Sequence, residues 1–99
     1  MGFSARSHFR LGFLDEALKE WRRLDGDAQA RFKSKLAERL ENPRAPSAKL
    51  HGHPDRHKIK LRGIGYRLVY EVRDKELIVI VIAVGKRDRS AVYKVAAAR

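Results

Sequence analysis

The sequence predicts an α+β fold: element order β-α-α-β-β-β-α, with an antiparallel four-stranded sheet packed by an N-terminal helical hairpin and a short C-terminal helix. Three observations lead there. Apolar residues recur at helical spacing between Leu14 and Leu40, apolar and cationic residues alternate from His57 to Arg62, and Leu77 to Val84 (LIVIVIAV) is apolar throughout. The 99 residues suit a single domain, residues 1–99, with the first eight as a polar extension.

The first strand spans Phe9 to Phe13, with Phe9, Leu11 and Phe13 on one face and Gly12 weakening it. Asp15 can N-cap the first helix, whose apolar residues are Leu14, Leu18, Trp21 and Leu24. Asp25-Gly26 breaks that helix. Asp27 can cap a second one running to about Glu41, with Ala28, Phe32, Leu36 and Leu40 spaced by four. So short a turn predicts an antiparallel helix pair, with Trp21 and Phe32 in the core. Asn42-Pro43 ends the second helix and opens a proline-containing loop to His57.

His57–Arg62 and Tyr66–Val72 then form a hairpin, and Leu77–Val84 follows a turn near Asp74. A strand apolar at every position is expected at the sheet centre, covered on both faces. Asp88 can cap the last helix, which runs through Ala98. With Gly63-Ile64 as a two-residue turn and positive φ at Gly63, Lys60 faces Arg67 and Lys58 faces Val69. Tyr66 and Tyr70 then fall on the opposite, core-facing side. The segment GIG is a turn and not a phosphate loop, because no helix begins after it.

Net charge is +11 with a pI near 10.6, which points to a polyanionic partner. Residues 1–48 carry 10 basic and 7 acidic side chains, residues 49–99 carry 13 and 5, so the binding face belongs mainly to the second half. There is no cysteine, which excludes disulfides, thiolate nucleophiles and cysteine metal sites. No apolar run approaches the roughly 18 residues of a membrane span. The opening MGFSARSH lacks the hydrophobic region of a signal peptide. A soluble, cytoplasmic protein without membrane contact is expected.

Lys58, Lys60 and Arg62 lie on one strand face, Arg67 joins them from the next strand, and Lys86, Arg87 and Arg89 follow the apolar run. Directly opposed like charges cost a sheet up to about 1 kcal/mol, and a phosphate between them reverses that sign. A lysine among other cations loses its proton more readily and can serve as a general base. Arginine stays charged and can stabilise a pentacoordinate phosphate. RNA carries its own nucleophile, the 2′-hydroxyl, so a site of lysine, arginine and tyrosine with no metal or other cofactor can cleave it. From charge alone, a solvated or merely phosphate-binding face is the commoner reading.

The segments LDEALKEWRRL, NPR, AKLHG, HKIKLRGIGYRLVYEV and VGKRDRSAVY, from about Leu11 to Ala97, resemble the RelE-type toxins of bacterial toxin–antitoxin pairs. That resemblance implies a ribosome-dependent mRNA endonuclease cutting in the A site, neutralised by a RelB-like antitoxin. It also implies contact with operator DNA only through the antitoxin complex. By motif position it implies Lys58, Lys60, Arg67, Arg87 and Tyr93 as the catalytic set. Lys60 would be the general base, with Lys58 and Arg67 holding phosphorane charge, Arg87 assisting the leaving oxygen and Tyr93 stacking on the nucleotide.

His51, Arg62, Lys86, Arg89, Lys35 and Arg39 are the expected RNA-binding residues. A solvated helix face competes for Lys35 and Arg39. His51 stands where the best-known family member has arginine. His51, His53 and His57 invite a metal reading, but Pro54 interrupts them and Asp55 is the one nearby carboxylate, so no metal site is expected. His57 ranks below Lys60 as an acid–base group. Two other functions remain open: a non-catalytic toxin of the same fold, as in ParE-type gyrase inhibitors, and a plain RNA-binding module.

Overall fold

The computed structural model describes residues 9–86 and 91–99. The chain runs β1 (Arg10–Phe13), α1 (Asp15–Arg22), α2 (Gly26–Glu41), a 3-10 turn at Pro46–Ala48, β2 (Arg56–Leu61), β3 (Tyr66–Arg73), β4 (Ile78–Lys86) and α3 (Ala91–Ala98). Sheet order is β1-β4-β3-β2. The expected all-antiparallel sheet is corrected here: β2, β3 and β4 form an antiparallel meander, but β1 lies parallel to β4. Short turns force antiparallel neighbours from β2 to β4. β1 is separated from the meander by two helices and a long loop, a connection that allows either direction.

Helix starts also differ from the sequence reading. Asp15 is the first residue of α1 rather than its cap, placing its charge at the positive helix end. Asp25, not Asp27, caps α2, its Oδ1 accepting from Ala28 N at 2.8 Å. Gly26 therefore begins α2 instead of breaking a helix. The expected cap of α3, Asp88, lies outside the described residues.

One sheet face packs against α1 and α2. Ala17, Leu24, Ala28, Phe32 and Leu36 meet Ile59, Leu61, Leu68, Tyr70, Val72, Val79, Val81 and Val84. Trp21 bridges this layer to β1, its ring 5.5 Å from Phe13 and 6.1 Å from Phe32. Leu11, expected to share that face, is exposed. The opposite face carries a smaller cluster, Val69, Ile82 and Ala83 under Val92 and Ala96 of α3. β4 is thus covered on both sides, as its uniform apolarity predicts.

A β-bulge at Val69/Tyr70 rephases β3 against β4: Tyr70 pairs with Val81 but Val69 with Ala83. Arg67 consequently lies opposite Gly85. A Cβ at Gly85 would stand 3.4 Å from Val92 Cγ2, an ordinary contact, so α3 packs directly over this position.

Candidate nucleic-acid interface

The β2–β3 hairpin adopts the expected register, Lys58 opposite Val69 and Lys60 opposite Arg67. Its turn is longer than expected. Leu61 and Tyr66 close a four-residue loop in which Gly65 N donates to Leu61 O at 2.9 Å. The positive φ of +75° belongs to Gly65 and not Gly63.

That register lines up Lys60, Arg67 and Gly85 across three strands, with Lys58, Val69 and Ala83 forming the next row on the same face. α3 covers the second row, and Tyr93 packs against the Val69–Ala83 cluster. Lys58, Lys60, Arg67 and Tyr93 therefore belong to one side of the sheet. Lys58 and Arg67 are half-buried while Lys60 is exposed. Lys86 pairs with Tyr66 and so sits one row off, at the strand end. Arg87 and Arg89 follow it directly but lie outside the described residues.

Open clefts surround this corner. One of about 420 Å³ is lined by Lys60, Arg62, Gly63, Gly65 and Arg67. A second, about 260 Å³, runs between Lys58, Lys60 and Arg62 on one side and Arg39, Ser47 and Ala48 on the other. A third, about 420 Å³, reaches α2 at Arg31, Ser34 and Lys35. Lys60 and Arg62 border all three. His51 is exposed on the loop before β2, outside these clefts.

Arg39 carries a structural task. Its Nη1 donates to Lys58 O at 3.2 Å and to the Tyr70 hydroxyl at 2.9 Å, tying α2 to the strand that bears the lysines. Tyr70 in turn donates to Pro43 O at 2.6 Å, and burial pushes its pKa up.

A family model described as ParE toxin of a type II toxin–antitoxin system, parDE, matches residues 11–91. The mRNA interferase toxin RelE of Escherichia coli K12 is 54% identical over 89 residues, covering 90% of this chain and 94% of its own. The chain belongs to the RelE/ParE family of type II toxins. Among solved structures, E. coli RelE with two arginine-to-alanine substitutions, in the free state, superposes with a TM-score of 0.85 at 50% identity, over 92% of this chain and 96% of that one. A chain of the intact E. coli RelBE toxin–antitoxin complex gives 0.78 at 52% identity, over 82% of this chain and 99% of its own.

Three charged residues of this RelE/ParE-family toxin escape a sequence reading because their partners are remote. Arg56 Nη1 donates to Ala96 O at 2.6 Å, and its Nε to Glu71 at 3.0 Å. Glu20 pairs with Arg99 at 2.7 Å. Spacing along the chain carries no signal for the contacts of Arg56 with Ala96 or of Glu20 with Arg99, whereas Arg56 and Glu71 are opposed in the hairpin register. Burial opposes ionisation of Glu71, yet the hydrogen bonds from Arg73 and Arg56 outweigh it and lower its pKa.

His57 is core rather than chemistry in this toxin. It is 2% exposed, stacks on Tyr70 with ring centroids 5.5 Å apart, and its Nδ1 has no hydrogen-bond partner among the described residues. Burial, then Arg44 and Arg39, hold its pKa below 6.5. The unfolded chain therefore binds this proton more readily. The stabilisation from neutral His57 is complete above about pH 6.5 and is lost as pH falls below it. Thermal midpoints measured at about pH 7.5 and about pH 5 should drop more for wild type than for His57→Phe. Equal drops would contradict this.

Proposed function

We propose that this toxin is an endoribonuclease that cleaves mRNA through attack by the message's own 2′-hydroxyl. The observation that carries it is the Lys60–Arg67 row beside Lys58, with Lys60 and Arg62 bordering three open clefts, in a chain over half identical to an mRNA interferase. Lys60 takes the 2′-hydroxyl proton as the 2′-oxygen attacks phosphorus. Lys58 and Arg67 stabilise the additional negative charge on the phosphorane. The bond to the 5′-oxygen breaks with Arg87 stabilising its developing charge, and a proton from water completes the products, a 2′,3′-cyclic phosphate and a 5′-hydroxyl. Tyr93 stacks on or orients the nucleotide. Arg62, Lys86, Arg89, Lys35, Arg39 and His51 contribute positive charge toward RNA, with Arg39 doing so from its tethered position. Cleavage takes place on mRNA in the ribosomal A site, in the cytoplasm. Among the described residues no helix is long and apolar enough to cross a membrane.

A RelB-like antitoxin neutralises the toxin, as the RelBE complex of the E. coli relative suggests. Operator DNA is contacted only through the toxin–antitoxin complex.

The family description names ParE, so a non-catalytic, gyrase-directed toxin is the competing reading. Identity of 54% to RelE along nine-tenths of the chain favours the ribonuclease. Primer extension on mRNA from cells expressing the toxin separates the two. Cuts within translated regions that vanish when translation is blocked are expected. Intact messages with stalled gyrase complexes would favour the ParE-like reading.

A further inference from the structure

We propose that Glu20 and Arg99 act as a positioning pair for Tyr93, clamping the helix that carries it to the margin of β4. Only the task of Tyr93, and not the clamp itself, depends on the ribonuclease reading above.

β1 accompanies β4 no further than Val81. Past that point the margin of β4 on the β1 side is completed by side chains. Arg99 Nη1 donates to Ile82 O at 2.8 Å, and Glu20 Oε1 accepts from Val84 N at 3.1 Å. The same two residues meet in a fork, Arg99 Nη1 to Oε1 at 3.0 Å and Nη2 to Oε2 at 2.7 Å. A carboxylate from α1 and a guanidinium from beyond α3 together supply what a neighbouring strand would supply. Their side chains are 25% and 19% exposed, so this bidentate pair is shielded from water better than a surface ion pair.

α3 depends on such anchoring. Its eight residues are too few to form a stable helix alone. Arg56 holds it from one side at Ala96 O, and Arg99 holds the chain just past it from the other. Tyr93 sits in the first turn of α3, its hydroxyl buried and without a hydrogen-bond partner among the described residues. No described hydrogen bond of its own fixes that ring. Its position follows from where the helix is pinned, and the margin that Glu20 and Arg99 complete leads directly to Gly85, opposite Arg67.

The test uses the full chain labelled with 3-fluorotyrosine. Its three tyrosines give three fluorine lines, and Tyr93→Phe assigns one of them. In Arg99→Ala the Tyr93 line should shift and broaden while those of Tyr66 and Tyr70 stay. On programmed ribosomes kcat should fall by about tenfold to hundredfold with KM changed less than about twofold. Arg99→Lys should recover most of both. Glu20→Gln, which keeps an acceptor for Val84 N, should give a milder version of the same pattern. An unmoved Tyr93 line, or a moved line with unchanged kcat, would overturn the proposal. So would Tyr66 and Tyr70 lines moving with Tyr93 in both Arg99→Ala and Glu20→Gln, since the pair would then merely support the fold. If the wild-type toxin cuts no message, the ribonuclease reading fails, and the fluorine spectra still decide the clamp.

Discussion

Replacing Lys60 with alanine is expected to abolish growth arrest and slow single-turnover cleavage by about 10²- to 10⁴-fold, the usual contribution of a general base. Lys60 is the position of greatest leverage because it faces Arg67 across the hairpin and borders all three basic clefts. The side chain is exposed, so the variant should stay folded. Antitoxin binding should persist. Arg87→Ala should be similarly inactive through loss of leaving-group stabilisation. Growth assays on both variants, with urea melts as the folding control, check this. Full toxicity in both would sink the mechanism.

Phe32→Ala is expected to be the most damaging core change. Phe32 is completely buried between α2 and the sheet and meets Trp21 at 6.1 Å. Truncating a buried phenylalanine costs about 3–5 kcal/mol. Against a total stability of about 5–15 kcal/mol for a domain this size, much of the folded population is at risk. The loss should reach the basic corner, because α2 holds Lys58 O through Arg39. Urea unfolding of wild type and variant measures it, and a difference below about 1 kcal/mol would show that the site collapses around the missing ring.

Much of this architecture is legible in residue order. Alternation of cation and apolar residue in KIKLR set the hairpin phase, and the pairings of Lys60 with Arg67 and Lys58 with Val69 follow. The helical spacing of Trp21, Leu24, Phe32 and Leu36 marks residues that pack beneath the sheet, although α1 buries Ala17 there where the spacing points to Leu18. What stayed hidden has physical causes. LIVIVIAV is apolar at every position, so it carries no parity from which the bulge at Val69/Tyr70 could be read. Without that bulge Arg67 would face Val84 instead of Gly85. The parallel direction of β1 was invisible because a two-helix connection constrains neither orientation. Asp25 and Asp27 are equally good caps on composition, and the backbone chose Asp25. The clamp by Glu20 and Arg99 joins residues 79 apart, beyond any local pattern.

The most direct measurement is single-turnover cleavage of ribosome-bound mRNA that carries one 2′-deoxynucleotide on the 5′ side of the scissile phosphate. With the 2′-oxygen as nucleophile, that message should remain intact while its all-ribose twin is cut to a 2′,3′-cyclic phosphate and a 5′-hydroxyl. Cleavage of the deoxy-substituted message at the same bond and rate would contradict the proposal that Lys58, Lys60, Arg67 and Arg87 act on RNA's own hydroxyl.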